Sequence, residues 1–155
     1  DVQSPYWKGH GGFVIHICDN NIEVPYSWIS NNCSQVVSLD DKAAISNALV
    51  TSGANGLKRW ESYVLGLDPN NSASVVLCDA KQDTDPATVT FFARNVVPNT
   101  NTNNPLKVVY VLEGSQDGLT WPYSLTSTSN ALSVALPSIY TFFRVRTDIV
   151  VGNAQ

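Results

Sequence analysis

From residue 72 to the end of the sequence, β-type segments alternate with turn-forming clusters, and no helical periodicity interrupts them. Residues 74–79, 87–97, 106–114, 132–136 and 140–149, rich in Val, Ile, Thr, Tyr and Phe, read as strands. Asp83-Thr-Asp-Pro86, the run from Pro98 to Pro105 and Ser115-Gln-Asp-Gly118 lie between them and carry loop chemistry. In Thr141-Phe-Phe-Arg-Val-Arg-Thr147, Arg144 and Arg146 fall on one side while Phe143 and Val145 fall on the other. That period of two marks a half-buried strand, and sheets with one apolar face must bury it against another layer.

The first half is mixed. Residues 1–11 read as an irregular arm, and residues 13–18 as a β-branched strand that returns through residues 22–24 across an Asp-Asn-Asn turn. Pro25 suits the first turn of a short helix over residues 26–29. Asp40 is placed to cap a helix over residues 41–50, and a second helix spans residues 57–65, ended by Gly66 and barred by Pro69. At 155 residues the chain suits one domain. The expected parts are the arm, a strand and helical part over residues 12–71, and a sandwich over residues 72–155. The fold class is mostly β: a fibronectin/immunoglobulin-like β-sandwich, drawing one or two strands from the N-terminal part, with a small helical segment over about residues 40–66.

Charge narrows the function classes. Charged residues make up only 14% of the chain, the net charge is −4, and fifteen Asn carry much of the polarity. Neutralising phosphates needs clustered Lys and Arg, so nucleic acid is not an expected partner. No apolar run is long enough to span a bilayer, and no basic amphipathic helix offers itself to a membrane surface. With no leader sequence and no Met, the chain reads as a processed product or an excised piece of a larger one.

Catalytic signatures are missing from the sequence. His10 sits in a Gly-rich arm and His16 in a strand, and no G-x-S-x-G, H-E-x-x-H or phosphate-binding Gly loop occurs. Glycoside hydrolysis needs two carboxylates about one bond, and nothing pairs Glu23, Glu61 or Glu113 with a second acid. A calcium loop with Gly56 as its turn Gly would place Thr51, Gly53, Asn55 and Ser62 at liganding positions, which lack the required carboxylates. No metal or other cofactor is expected. Of the cysteines, Cys18 and Cys33 flank a short loop and form the candidate disulfide, while Cys78 reads as a buried free thiol.

Aromatic side chains carry the binding expectation, because the C–H face of a sugar ring packs on Trp or Tyr while its hydroxyls pair with Asn, Gln, Asp or Arg. Tyr6, Trp7, Trp121 and Tyr123 fall in segments that read as surface loops and are the first candidates, with Tyr26 and Trp28 as further candidates. Trp60 lies on the apolar side of its helix and reads as core.

Four segments carry a resemblance: Ile22-Glu-Val-Pro-Tyr-Ser-Trp28, Asn55-Gly-Leu-Lys-Arg-Trp-Glu-Ser-Tyr-Val-Leu-Gly-Leu-Asp-Pro69, Leu112-Glu-Gly-Ser-Gln-Asp-Gly-Leu-Thr-Trp121 and Tyr140-Thr-Phe-Phe-Arg-Val145. In residues and spacing, from about Gly12 onward, they resemble a module near the C-termini of large secreted proteins. These parents occur in gut and rumen bacteria of the Verrucomicrobia–Lentisphaerae kind. The resemblance implies a secreted or cell-surface, multidomain parent of adhesin-like or carbohydrate-active type. It carries no activity to individual residues. Its Asn-Gly-Leu segment resembles a decayed dockerin or thrombospondin-type repeat that lacks the acids.

The functional expectation is a non-catalytic carbohydrate-binding module. It takes neutral plant cell-wall polysaccharide (cellulose, β-glucan or xylan) by aromatic stacking. The alternative is a structural spacer, anchoring or export module with no small ligand.

Overall fold

The computed structural model describes residues 12–17, 20–83, 88–98, 106–135 and 138–151. By its contacts the chain divides after Ser74 into two compact units.

In the first unit, β1 (Gly12–Ile17) and β2 (Asn20–Pro25) form an antiparallel hairpin that sets Phe13 against Val24 and Ile15 against Ile22. All four side chains are buried, so the alternation of the sequence becomes one apolar face. Helix α1 (Tyr26–Asn32) follows at once and buries Ile29. In α2 (Lys42–Val50), Ile45, Ala48 and Leu49 point inward, and the helix packs on α3 and β1. Asp41, one residue later than expected, is the N-cap: its Oδ1 accepts from the Ala44 N–H at 2.9 Å. Helix α3 (Arg59–Leu65) starts with the Glu61 carboxylate accepting from the Lys58 N–H at 2.8 Å. It ends at Gly66, whose φ of 70° is the left-handed conformation that a Cβ disfavours. Trp60, Val64 and Leu65 are buried along it.

The second unit is a pair of antiparallel sheets. One orders β3 (Leu77–Gln82), β4 (Thr88–Arg94) and β7 (Ala131–Ala135); the other orders β6 (Tyr123–Ser127), β5 (Leu106–Ser115) and β8 (Phe142–Val151). Phe91 and Ala93 of β4, Leu132 and Val134 of β7, Tyr110 and Leu112 of β5 and Val145 of β8 meet in one core. The Phe91 and Phe143 rings, one from each sheet, lie 4.9 Å apart. Residues from both sheets share this core, which makes the architecture mostly β and sandwich-like.

Four further sequence expectations change. The N-terminal strands do not join the sandwich among the described residues; β1 and β2 pair with each other. A strand absent from the expected set, β6, completes the second sheet, with only Tyr123 and Leu125 as large apolar residues in its alternation. Strand β3 starts at Leu77 rather than residue 74, and Cys78 is an exposed free thiol on an edge strand, not a buried one. Pairing with β4 from Leu77↔Arg94 to Gln82↔Val89 sets those bounds, and local apolarity at Val75 and Val76 does not.

Leu112 is 0% exposed at the middle of the central strand β5. Leu112→Ala removes its contacts with both sheets and is expected to cost about 2–5 kcal/mol, read from urea unfolding at unchanged slope.

Candidate binding surface

Alternation along β5 turns Leu112 into the core and Glu113 to the outer face of its sheet, and register places Ser124 and Arg144 on either side of Glu113. Two positions back along the same strand, Thr126 and Arg146 flank Val111. The Glu113 carboxylate accepts from Arg144 Nε at 2.6 Å and from Arg146 Nε at 3.2 Å, and Arg146 also pairs with Asp148. Desolvation pushes the Glu113 pKa upward, but the hydrogen bonds and charges of Arg144 and Arg146 outweigh it and hold the group below the usual carboxylate range. Trp121, just before β6, stacks on this row: the Arg144 guanidinium carbon lies 4.1 Å from its ring centroid.

The turn beside this face is closed by side chains. Asp117 Oδ1 accepts from the N–H groups of Leu119 and Thr120 at 2.8 Å each and from Ser115 Oγ at 3.0 Å. Ser115 Oγ in turn accepts from the Gly118 N–H at 2.8 Å. Gly118, at φ 73°, supplies the left-handed position the turn requires. Backbone donors from Thr120 and Leu119, and then Ser115, lower the Asp117 pKa to about 2. This turn presents Leu119 at 84% exposure, and Phe142, 48% exposed, lies beside Gly118. Leu119, Phe142 and Arg144 were not among the sequence candidates. The alternation in residues 141–147 already put Arg144 on a solvent face, but nothing in the sequence paired it with Trp121.

The sequence-derived candidates scatter. Trp121 is half-buried on the outer face. Tyr123 turns to the opposite side, packs against the core and stacks on Tyr140 at 5.2 Å, so the two do not form an aromatic row. Trp28 is half-buried and meets Tyr63 edge-on at 5.3 Å. Tyr26 receives a hydrogen bond from Lys42 Nζ at 2.9 Å, and that ammonium also lies 4.9 Å from the ring centre. Tyr6, Trp7 and His10 lie outside the described residues. His16 is exposed on β1. Cys33 is a fully buried free thiol with no bridge; Cys18, the other half of the expected pair, lies outside the described residues. Burial pushes the Cys33 pKa up, and the charge of Arg59 offsets part of the rise.

Around Gly56 the loop is tied by an amide. Asn55 Oδ1 accepts from the Leu57 N–H at 3.2 Å, which fixes the orientation of the group. Asn55 Nδ2 then donates to Ser62 Oγ at 3.0 Å, the Ser74 carbonyl at 3.2 Å and the Asp68 carbonyl at 3.4 Å. A hydrogen-bond donor therefore occupies the centre where oxygen ligands would converge on calcium. No group of three or more His, Cys, Asp or Glu able to hold a metal occurs among the described residues. Among them, too, no helix is long and apolar enough to cross a membrane.

No family model, no curated protein and no solved structure matches this chain.

Two outcomes follow from this geometry. The depressed Asp117 pKa stabilises the folded state above the ordinary value of 3.8, and that contribution is lost as pH falls towards about 2. Asp117→Asn should therefore melt below wild type at neutral pH, with the gap in unfolding midpoint closing across that acid window. EDTA should leave the midpoint unmoved, because Asn55 Nδ2 already satisfies the loop oxygens, whereas Asn55→Asp, which sets a carboxylate among acceptors, should lower it in thermal melts.

Proposed function

We propose that this chain is a non-catalytic carbohydrate-binding module of a secreted or cell-surface bacterial protein, with neutral plant cell-wall polysaccharide as its ligand. The observation that carries the reading is the indole of Trp121 laid on the outer sheet face against Arg144, within a row of hydrogen-bonding side chains that includes Glu113 and Ser124. In this reading Arg144 backs one face of the ring and a sugar takes the other, while sugar hydroxyls pair with the polar row. The rigid Asp117 turn lowers the ordering cost of the adjoining Leu119 and Phe142. Both arginines of the row already have carboxylate partners, which favours neutral glycans such as cellulose, β-glucan or xylan over acidic ones.

The non-catalytic part rests on the two best-placed carboxylates. Glu113 and Asp117 are both held in the ionised form, the opposite of the raised pKa a glycosidase acid needs near neutrality. For the fold, the reading is a fibronectin/immunoglobulin-like sandwich. With β3, β4 and β7 as strands A, B and E, and β6, β5 and β8 as C′, C and F, the connections follow that Greek-key order.

A second reading, a spacer or anchoring module with no small ligand, is favoured by the inward turn of Tyr123 and by Trp28 packed on Tyr63. Affinity gels and insoluble-polysaccharide pull-downs with cellulose, xylan, β-glucan, mannan and pectin separate the two. Retardation by a neutral glycan is expected, and Trp121→Ala should abolish it with little change in unfolding midpoint. No retardation by any of the five would favour the spacer.

A further inference from the structure

Strand β8 is the longest edge of the sandwich unit, ten residues against five or six for β3, β6 and β7. Its ten consecutive pairs with β5 run without a bulge, it contains no Pro, and among the described residues no strand pairs with its other edge, though β3 touches it. A long, regular edge presents a row of backbone donors and acceptors to any second strand, and natural proteins usually guard such edges. Here the guards would be the charged residues Arg144, Arg146 and Asp148. Their spacing is instead self-complementary.

We propose that β8 pairs with β8 of a second copy of this chain, antiparallel, about a two-fold axis through Thr147. A two-fold perpendicular to the sheet keeps both core faces on one side, so residues can only face partners of the same alternation. That leaves a few registers centred on the strand, and charge decides among them. Centred on Val145, Arg144 would face Arg146 of the partner subunit. Centred on Arg146 or on Asp148, that residue would face its own copy. Each of these sets like charges opposite one another, which destabilises the pair. Centred on Thr147, Arg146 faces Asp148 of the partner subunit and the reciprocal pair repeats across the axis. Arg144 then faces Val150 of the partner subunit, with no like-charge contact on the face.

On the inner face, Val145 meets Ile149 of the partner subunit and Thr147 meets its own copy, so the half-buried apolar alternation of β8 continues across the junction. The side chains of Arg146 and Asp148 are 44% and 45% exposed, which leaves both free to take a second partner beside their contact within the chain. The Cys78 thiol lies by the Val145 backbone but donates to the Asp79 carbonyl at 3.8 Å, and a thiol is a weak enough neighbour for the new strand to displace. The product is a continuous sheet, β6-β5-β8 joined to its two-fold copy.

Sedimentation equilibrium of the whole chain tests this, and twice the mass of one chain is expected. Arg146→Asp alone and Asp148→Arg alone should each sediment as monomers, because each sets like charges opposite one another. An equimolar mixture of the two should recover the dimer. In that mixed pair the carboxylate introduced at position 146 of one chain faces the guanidinium introduced at position 148 of the other. A wild type that stays monomeric would overturn the pairing. Single variants that stay dimeric, or a folded mixture that stays monomeric, would overturn the register. Val150→Glu gives a test that needs no charge reversal: a carboxylate opposite Arg144 of the partner subunit should tighten association about threefold or more. Unchanged or weaker association would count against the Thr147 axis.

Discussion

Strand β5 lies between β6 and β8, and the burial of Leu112 at its middle sets what the rest of the sandwich unit can present. Side chains alternate across a strand, so Leu112 in the core forces Glu113 out. The pairings of β5 then bring Ser124 from one neighbour and Arg144 from the other to Glu113. A slip of one residue would exchange the apolar and charged sets and expose the core, which is why this register is strongly specified. The Trp121–Arg144 stack and the bonds of Glu113 to Arg144 and Arg146 both depend on it. The candidate surface and the self-complementary edge are two consequences of one packing constraint.

Much of this was legible in the residues. The strand over residues 140–149 could be read with its inward and outward sides, because Phe143 and Val145 alternate with Arg144 and Arg146. The hairpin before Pro25, the short helix after it and the stop of α3 at Gly66 were equally plain, since each rests on local chemistry. Strand β6 was not legible: Tyr-Ser-Leu-Thr-Ser has too little apolar weight to stand out and becomes a strand only by pairing with β5. The start of β3 and the exposure of Cys78 likewise follow from pairing with β4, a nonlocal interaction. For the site, Trp121 could be singled out by type and by its place after a turn. That Tyr123, two residues on, faces the other way follows from the strand that begins there.

In the first unit, a side-chain amide ties together a loop of calcium-binding outline. Asn55 donates where a metal would accept, and its acceptors come from three separated places, Ser62, Asp68 and Ser74. One neutral amide thereby ties the start of α3 to the segment that follows it. This costs none of the carboxylate crowding that a calcium site must neutralise, and it accords with the low charge of the chain as a whole.

The proposed role stands on the outer face of the β6-β5-β8 sheet, and nuclear magnetic resonance titration of the isotope-labelled chain with soluble gluco- and xylo-oligosaccharides tests that most directly. Progressive shifts at the Trp121 indole N–H and at the amides of Ser124 and Arg144, with Trp28 and Tyr26 unmoved, are the predicted result. Shifts confined to the first unit, or no shifts with any neutral oligosaccharide, would contradict it.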